Sequence, residues 1–233
     1  LEPHAHSVTV VHPPHVKLIT KAKVMNDKKA SHALAMLHAA RLLPAVWVPS
    51  KEVRDLRALV AQRQKMSKLA VTAKCRLQNV LHREHIVPPE GVDLYSQAAR
   101  SWWQELPLST FERFRIGSDL DTLDFANAQL KSLTDCLGAL AAQDERAHLL
   151  AHLPGFGKVV IMTVLAAIGD ISRFPSAKHL VGYAGLGTKV HDSGNIQWSG
   201  RITKTGRKEL RWVMVQAAHS ARMSHPHWKA EYA

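Results

Sequence analysis

Apolar residues recur three and four positions apart along two long stretches in the middle of the chain. Leu56, Leu59, Val60, Met66, Leu69, Ala73, Leu77 and Val80 form the first stripe, from a Ser50 cap to a stop at Pro88. Glu52 and Asp55 fall in its first turn, where carboxylates suit the helix dipole. The second stripe is Ile116, Leu120, Leu123, Leu130, Leu133, Leu137 and Leu140, with Gly117 and Gly138 as weak points. It starts from Ser109-Thr110-Phe111-Glu112, a capping-box pattern, and its spacing is close to a heptad. Between the stripes, Tyr95 to Leu106 with Trp102-Trp103 predicts a short helix. Two long helices joined by Pro88 to Pro107 predict an antiparallel coiled-coil arm over 50–145.

Outside the arm the periodicity is more varied. Val8 to Val11 reads as a strand stopped by His12-Pro13-Pro14, and Val16 to Ile19 reads equally as a short helix or a second extended piece. Asn26-Asp27 caps a helix from Lys28 to Ala40, with Ala33, Leu34, Leu37 and Ala40 on one side, and Leu43 to Val48 leans to strand. On the C-terminal side, Val159 to Ile168 is an apolar run and predicts a buried helix. Lys178 to Ala184 predicts a short helix ending at Gly185. Residues 186–203 carry Gly187, Gly194 and Gly200 among Val190, Ile196, Trp198 and Ile202, the pattern of a hairpin. Arg207 to Met223 returns to helix, with Leu210, Val213, Met214 and Ala217 on one face.

Charge narrows the choice of partner. The 233 residues hold 31 Lys and Arg against 19 Asp and Glu, a net charge of +12, with a pI near 10.0. Such a balance favours a polyanion. Nine of the basic residues lie in 50–87 beside three acids, so the first arm helix is strongly basic, whereas Asp119, Asp121, Asp124 and Asp135 make the second one acidic. The longest apolar run, Val159 to Gly169, is half what a bilayer needs, so no membrane span is expected. Cys75 and Cys136 fit free thiols in a reducing bacterial cytoplasm. The fifteen histidines show no zinc spacing.

The candidate chemistry lies between Leu153 and Arg211. Leu153-Pro154-Gly155-Phe156-Gly157-Lys158 is a glycine turn feeding a helix, the hairpin half of a helix-hairpin-helix. Its free backbone N–H groups can hold a phosphate without reading bases. Asp192-Ser193-Gly194 marks the hairpin turn, and Arg201, Lys204, Arg207, Lys208 and Arg211 add cations after it. Gly155, Gly157, Lys158 and these five are the candidate nucleic-acid contacts.

The order Pro-Gly-Phe-Gly, Gly-Asp-Ile-x-Arg-Phe, Ser-Gly, Gly-Arg-Ile-Thr-Lys-x-Gly and Leu-Arg-Trp runs unbroken over about 149–220. It resembles the C-terminal domain of the insertion-sequence 110 family of transposases, also grouped with 116 and 902. The resemblance implies DNA as substrate, Ser193 as the nucleophile and a guide RNA transcribed from the element. It also implies arms that pair protomers and contact the RNA, and an RNase H-like (RuvC-like) α/β domain whose aspartates hold Mg²⁺. Val24 to Ser31 falls on that domain's acidic signature: Asp27 stands at the first position, as metal ligand and catalytic carboxylate, and Ala30 where the second belongs. Most of the metal site is therefore missing, and Mg²⁺ is not expected to bind tightly.

The resulting expectation is a mainly α chain in three parts. Residues 1–49 are a remnant of the RNase H-like domain, cut short because the chain opens on Leu1 rather than Met. Residues 50–145 are the arm, and 146–233 a small helical C-terminal domain with the serine motif and the helix-hairpin-helix-like turn. The expected function is DNA strand exchange by a nucleoid-associated homo-oligomer joined through the arms. A catalytically dead nucleic-acid-binding remnant is the alternative, supported by Ala30. A helix-hairpin-helix junction nuclease would share the glycine turn but not need the Ser-Gly and Ile-Thr-Lys segments.

Overall fold

The computed structural model describes residues 4–6, 8–14, 16, 26–193 and 196–232, with the backbone alone described for 190–193 and 196–199. The chain divides into two compact units, Leu1–Lys51 and Glu52–Ala233. It is mainly helical.

In the first unit, helix α1 spans Asp27–Ala39. The Asn26 side chain caps it by accepting the Lys29 N–H at 2.9 Å. Leu34 and Leu37 are half-buried, and no residue of α1 is fully buried. The two predicted strands meet in a single antiparallel bridge, Val11 to Ala45, with the Val46 N–H donating to Val10 O at 2.9 Å. One bridge is too little pairing to define a ladder, so the described residues here show extended segments rather than a sheet. Lys17 to Ile19 and Val24-Met25 lie outside the described residues.

The second unit is built on helices α2 (Lys51–Arg83) and α4 (Thr110–Ala142), 33 residues each and so about 50 Å long. Their contacts run in opposite order: Arg63 to Thr134, Arg76 to Asp119 and Arg83 to Glu112. The pair is therefore antiparallel. Ser109 caps α4 as its sequence predicts, accepting the Glu112 N–H at 3.2 Å. Both weak points hold as helix. A three-residue 3-10 turn and helix α3 (Arg100–Glu105) close the far end. Trp103 is 1 % exposed there, among Leu77, Leu120 and Leu123, and its Nε1–H donates to Leu94 O at 2.8 Å. Cys75 and Cys136 are free and exposed.

The near ends of α2 and α4 merge into a second core rather than ending at a linker. Val60, Leu137 and Ala141 pack with Ala147 of α5 (Glu145–Ala151) and with Ile161, Met162 and Leu165 of α6 (Lys158–Ile168). Ile161 to Ala167 are all buried, and the hydroxyl of Thr163, polar among them, donates to Val159 O at 2.7 Å. The opposite side of α6 packs through Val164 and Ala167 on Ala184 of α7 (Ala177–Ala184) and on Leu210 and Val213 of α8 (Lys208–Ser224). An antiparallel hairpin, β1 (Thr188–Ser193) and β2 (Ile196–Ile202), joins α7 to α8. Helices α5 and α9 (Pro226–Tyr232) have seven residues each, too few to leave a periodic signal. No described helix is long and apolar enough to cross a membrane.

Candidate nucleic-acid interface

Helix α6 ends inside the unit, and its last carbonyls need donors. Arg57 of α2 supplies two, Nε to Ala166 O at 2.7 Å and Nη2 to Ala167 O at 3.0 Å. Arg173 Nε donates to Ile168 O at 3.1 Å, and the Tyr183 hydroxyl to Ala167 O at 3.2 Å. Cations at a helix C-terminus also meet the negative end of its dipole.

The loop after the hairpin is fastened to the same place. Three backbone N–H groups, of Thr203, Lys204 and Arg207, donate to Gly187, Gly185 and Tyr183 carbonyls at 2.9, 3.1 and 2.9 Å. That approach requires glycine: a Cβ on Gly206 would lie 2.1 Å from Tyr183 O. Lys204 is held at φ +57, a conformation lysine seldom adopts. Arg207 Nε reaches the Tyr183 hydroxyl at 3.2 Å, and Arg211 Nη1 reaches Ala184 O at 3.2 Å. Lys204, Arg207, Lys208 and Arg211 are thus gathered at the start of α8, with Arg57 and Arg173 behind them.

The field of this cluster registers on Tyr183. Burial alone would push its phenol up, but the charge of Arg207 and hydrogen bonds from Arg173 and Arg207 outweigh it, and the phenol lies below its ordinary value. Arg173 also lies over the Tyr183 ring, 4.4 Å from its centre. Burial, then the neighbouring Arg207, likewise lowers the Arg57 guanidinium. Two guanidinium groups, Arg173 and Arg207, thus converge on one hydroxyl.

The other sequence candidates lie elsewhere. Gly155 has φ +83, and a Cβ there would stand 2.2 Å from Ala217 O, so this glycine lets the turn rest on the back half of α8. Gly157 caps α6, and the Lys158 side chain runs along α4, 3.5 Å from where a Gly138 Cβ would be. These three are at the start of α6, about 15 Å of helix from the arginines at its end. Arg201 is exposed on β2. Ser193 ends β1 with its backbone paired to Ile196; Gly194 lies outside the described residues. Arg57, Arg173 and Tyr183 were not singled out from sequence. Arg173 alone carried a signal, inside the Gly-Asp-Ile-x-Arg-Phe string.

Asp27 is exposed in the first turn of α1. A divalent cation needs several oxygen ligands, and Ala30, one turn along, offers none. No three His, Cys, Asp or Glu side chains gather for a metal among the described residues. The residues described do not by themselves fit Mg²⁺.

Residues 147–233 match the profile of the transposase IS116/IS110/IS902 family. The chain is 30 % identical over 220 residues to the pilin gene-inverting protein of Moraxella bovis, a match covering 92 % of the chain and 60 % of that protein. It is 24 % identical over 220 residues to the transposase for insertion sequence element IS1111A of Coxiella burnetii, covering 91 % and 58 %. A probable family 20 transposase of Pseudomonas aeruginosa is 27 % identical over 225 residues, covering 92 % and 64 %. The chain therefore spans about three fifths of the length of these relatives.

Proposed function

The chain belongs, through residues 147–233, to the IS116/IS110/IS902 transposase family, and on that premise we propose that it acts in DNA transposition or inversion, in the bacterial cytoplasm. The cations Lys204, Arg207, Lys208 and Arg211 hold the DNA backbone. Ser193 Oγ attacks a phosphodiester phosphorus, losing its proton and forming a phosphoserine ester. The displaced sugar oxygen takes up a proton and leaves as a hydroxyl. One observation carries the holding role: three backbone hydrogen bonds fix Thr203–Arg207 on the end of α7, gathering cations around a phenol pulled below its ordinary value. In this reading the basic arm helix α2 meets an element-encoded guide RNA, and α4 pairs with a second copy. The glycine turn at Gly155 also serves the packing of α6 on α8. Asp27 keeps the part of catalytic carboxylate and metal ligand that the family resemblance implies, and would need oxygen ligands beyond those described to hold Mg²⁺.

A second reading, a nucleic-acid-binding module without cleavage of its own, is favoured by Ala30 beside Asp27. One preparation separates the two. Binding to duplex DNA should weaken linearly in log salt, and Lys204→Ala with Lys208→Ala should lower that slope by up to about two. A covalent protein–DNA adduct that disappears in Ser193→Ala, with binding kept, supports the transposase. Binding without an adduct supports the module, and an unchanged slope removes the cation cluster from both.

A further inference from the structure

Helix α8 buries Leu210 and Val213, which are 2 % and 1 % exposed, yet Trp212 between them is 55 % exposed. Its indole therefore has an open face, available for stacking. Trp212 forms one wall of a groove of about 380 Å³ between α2 and α8. Arg63 and Lys68 line it from α2, Lys208 and Glu209 from α8. Arg63 is fixed in place by its Nε–H bond to Thr134 Oγ1 at 2.9 Å. Gln64 and Ser67 add neutral hydrogen-bonding groups to the floor. Three cations, one carboxylate and an open aromatic face thus share a single groove, next to the Arg207 cluster.

We propose that this groove is a stacking site for an unpaired nucleotide, with Trp212 as the platform under the base and Lys68 and Lys208 on the flanking phosphates. The inference rests on the nucleic-acid-holding role proposed above and extends it to single-stranded substrate. Inside a duplex each base face is covered by its neighbours, so only a terminal pair has a face to offer. An unstacked base offers a π-face whatever its sequence, and the cations then track its backbone. Glu209 offers a carboxylate acceptor for the exocyclic amino group of adenine, cytosine or guanine; thymine and uracil lack one, so oligothymidine and oligouridine read the stacking alone.

The test uses the full chain and three labelled probes: a twelve-nucleotide oligothymidine, the corresponding oligouridine, and a twelve-base-pair duplex. Affinities are read by fluorescence anisotropy at fixed salt. Trp212→Ala should weaken single-strand binding about 5- to 100-fold and leave duplex binding within about twofold. Trp212→Phe should recover most of the loss, because a phenyl ring still stacks. The oligouridine and oligothymidine arms tell whether the strand is RNA or DNA, and loss on either supports the site. Loss of equal size on the duplex, or none on either single strand, overturns it. If the unchanged chain binds no probe, the nucleic-acid reading fails as well. If it binds all three and Trp212→Ala alters nothing, only the stacking site falls.

Discussion

Gly155 and Gly157 look alike in the sequence, two glycines of one Pro-Gly-Phe-Gly turn, but the structure gives them different tasks. Gly155 combines a left-handed φ with backbone of α8 against its α-carbon, whereas Gly157 has ordinary extended dihedrals and open space around it. Gly155→Ala should therefore cost at least about 2 kcal/mol of stability, from strain and overlap together. Gly157→Ala should cost no more than about 1 kcal/mol, the loss of a favoured N-cap residue without strain or overlap. Urea unfolding of the two variants measures the difference; equal losses would mean that the turn does not rest on Ala217. Which glycine needs its missing side chain was not legible beforehand, because the deciding atom belongs to a helix some sixty residues further along. Ser109 is the opposite case. Its capping partner is Glu112, three residues away, so sequence alone located that helix start.

The helices were legible for the same reason of locality: the stripes of α2, α4, α6 and α8 need only their own spacing. What they pack against was less so. Arg57 binds Ala166 O across 109 positions of chain, and nothing near Arg57 announces this. The leucine stripe of α4 also reads differently in three dimensions. Ile116, Leu120, Leu123 and Leu137 are buried within the chain itself, so they do not face a second copy. The face left open carries Phe111, Phe114 and Phe125, which are 83, 79 and 56 % exposed. These three are spaced near the heptad, as a helix-pairing seam would be. If α4 is the pairing element, sedimentation velocity of the chain at micromolar concentration should give a dimer. Phe111→Ser with Phe114→Ser should then return it to monomer. A dimer indifferent to both substitutions would place the contact elsewhere.

At the scale of the molecule, the expected boundary between arm and C-terminal domain is where the packing is continuous. Val60 and Leu137 of the long helices share a core with Ile161 and Leu165, and Glu52–Ala233 forms one compact unit. That continuity brings α2 beside the start of α8, where Arg63 and Lys68 of one helix and Lys208 of the other line one groove, while Arg57 turns inward to the carbonyls that end α6. Composition indicated a polyanionic partner, and the family strings indicated transposition. Neither could say that the arm and the Ile-Thr-Lys segment present their cations together. Lysine acetylation read by mass spectrometry, with and without duplex DNA, tests this face most directly. Lys68, Lys204, Lys208, Lys158 and Lys229 are all exposed and so all reactive in the free chain. DNA should protect Lys68, Lys204 and Lys208 and leave Lys158 and Lys229 as reactive as before; protection of Lys158 with Lys204 and Lys208 still open would contradict the account.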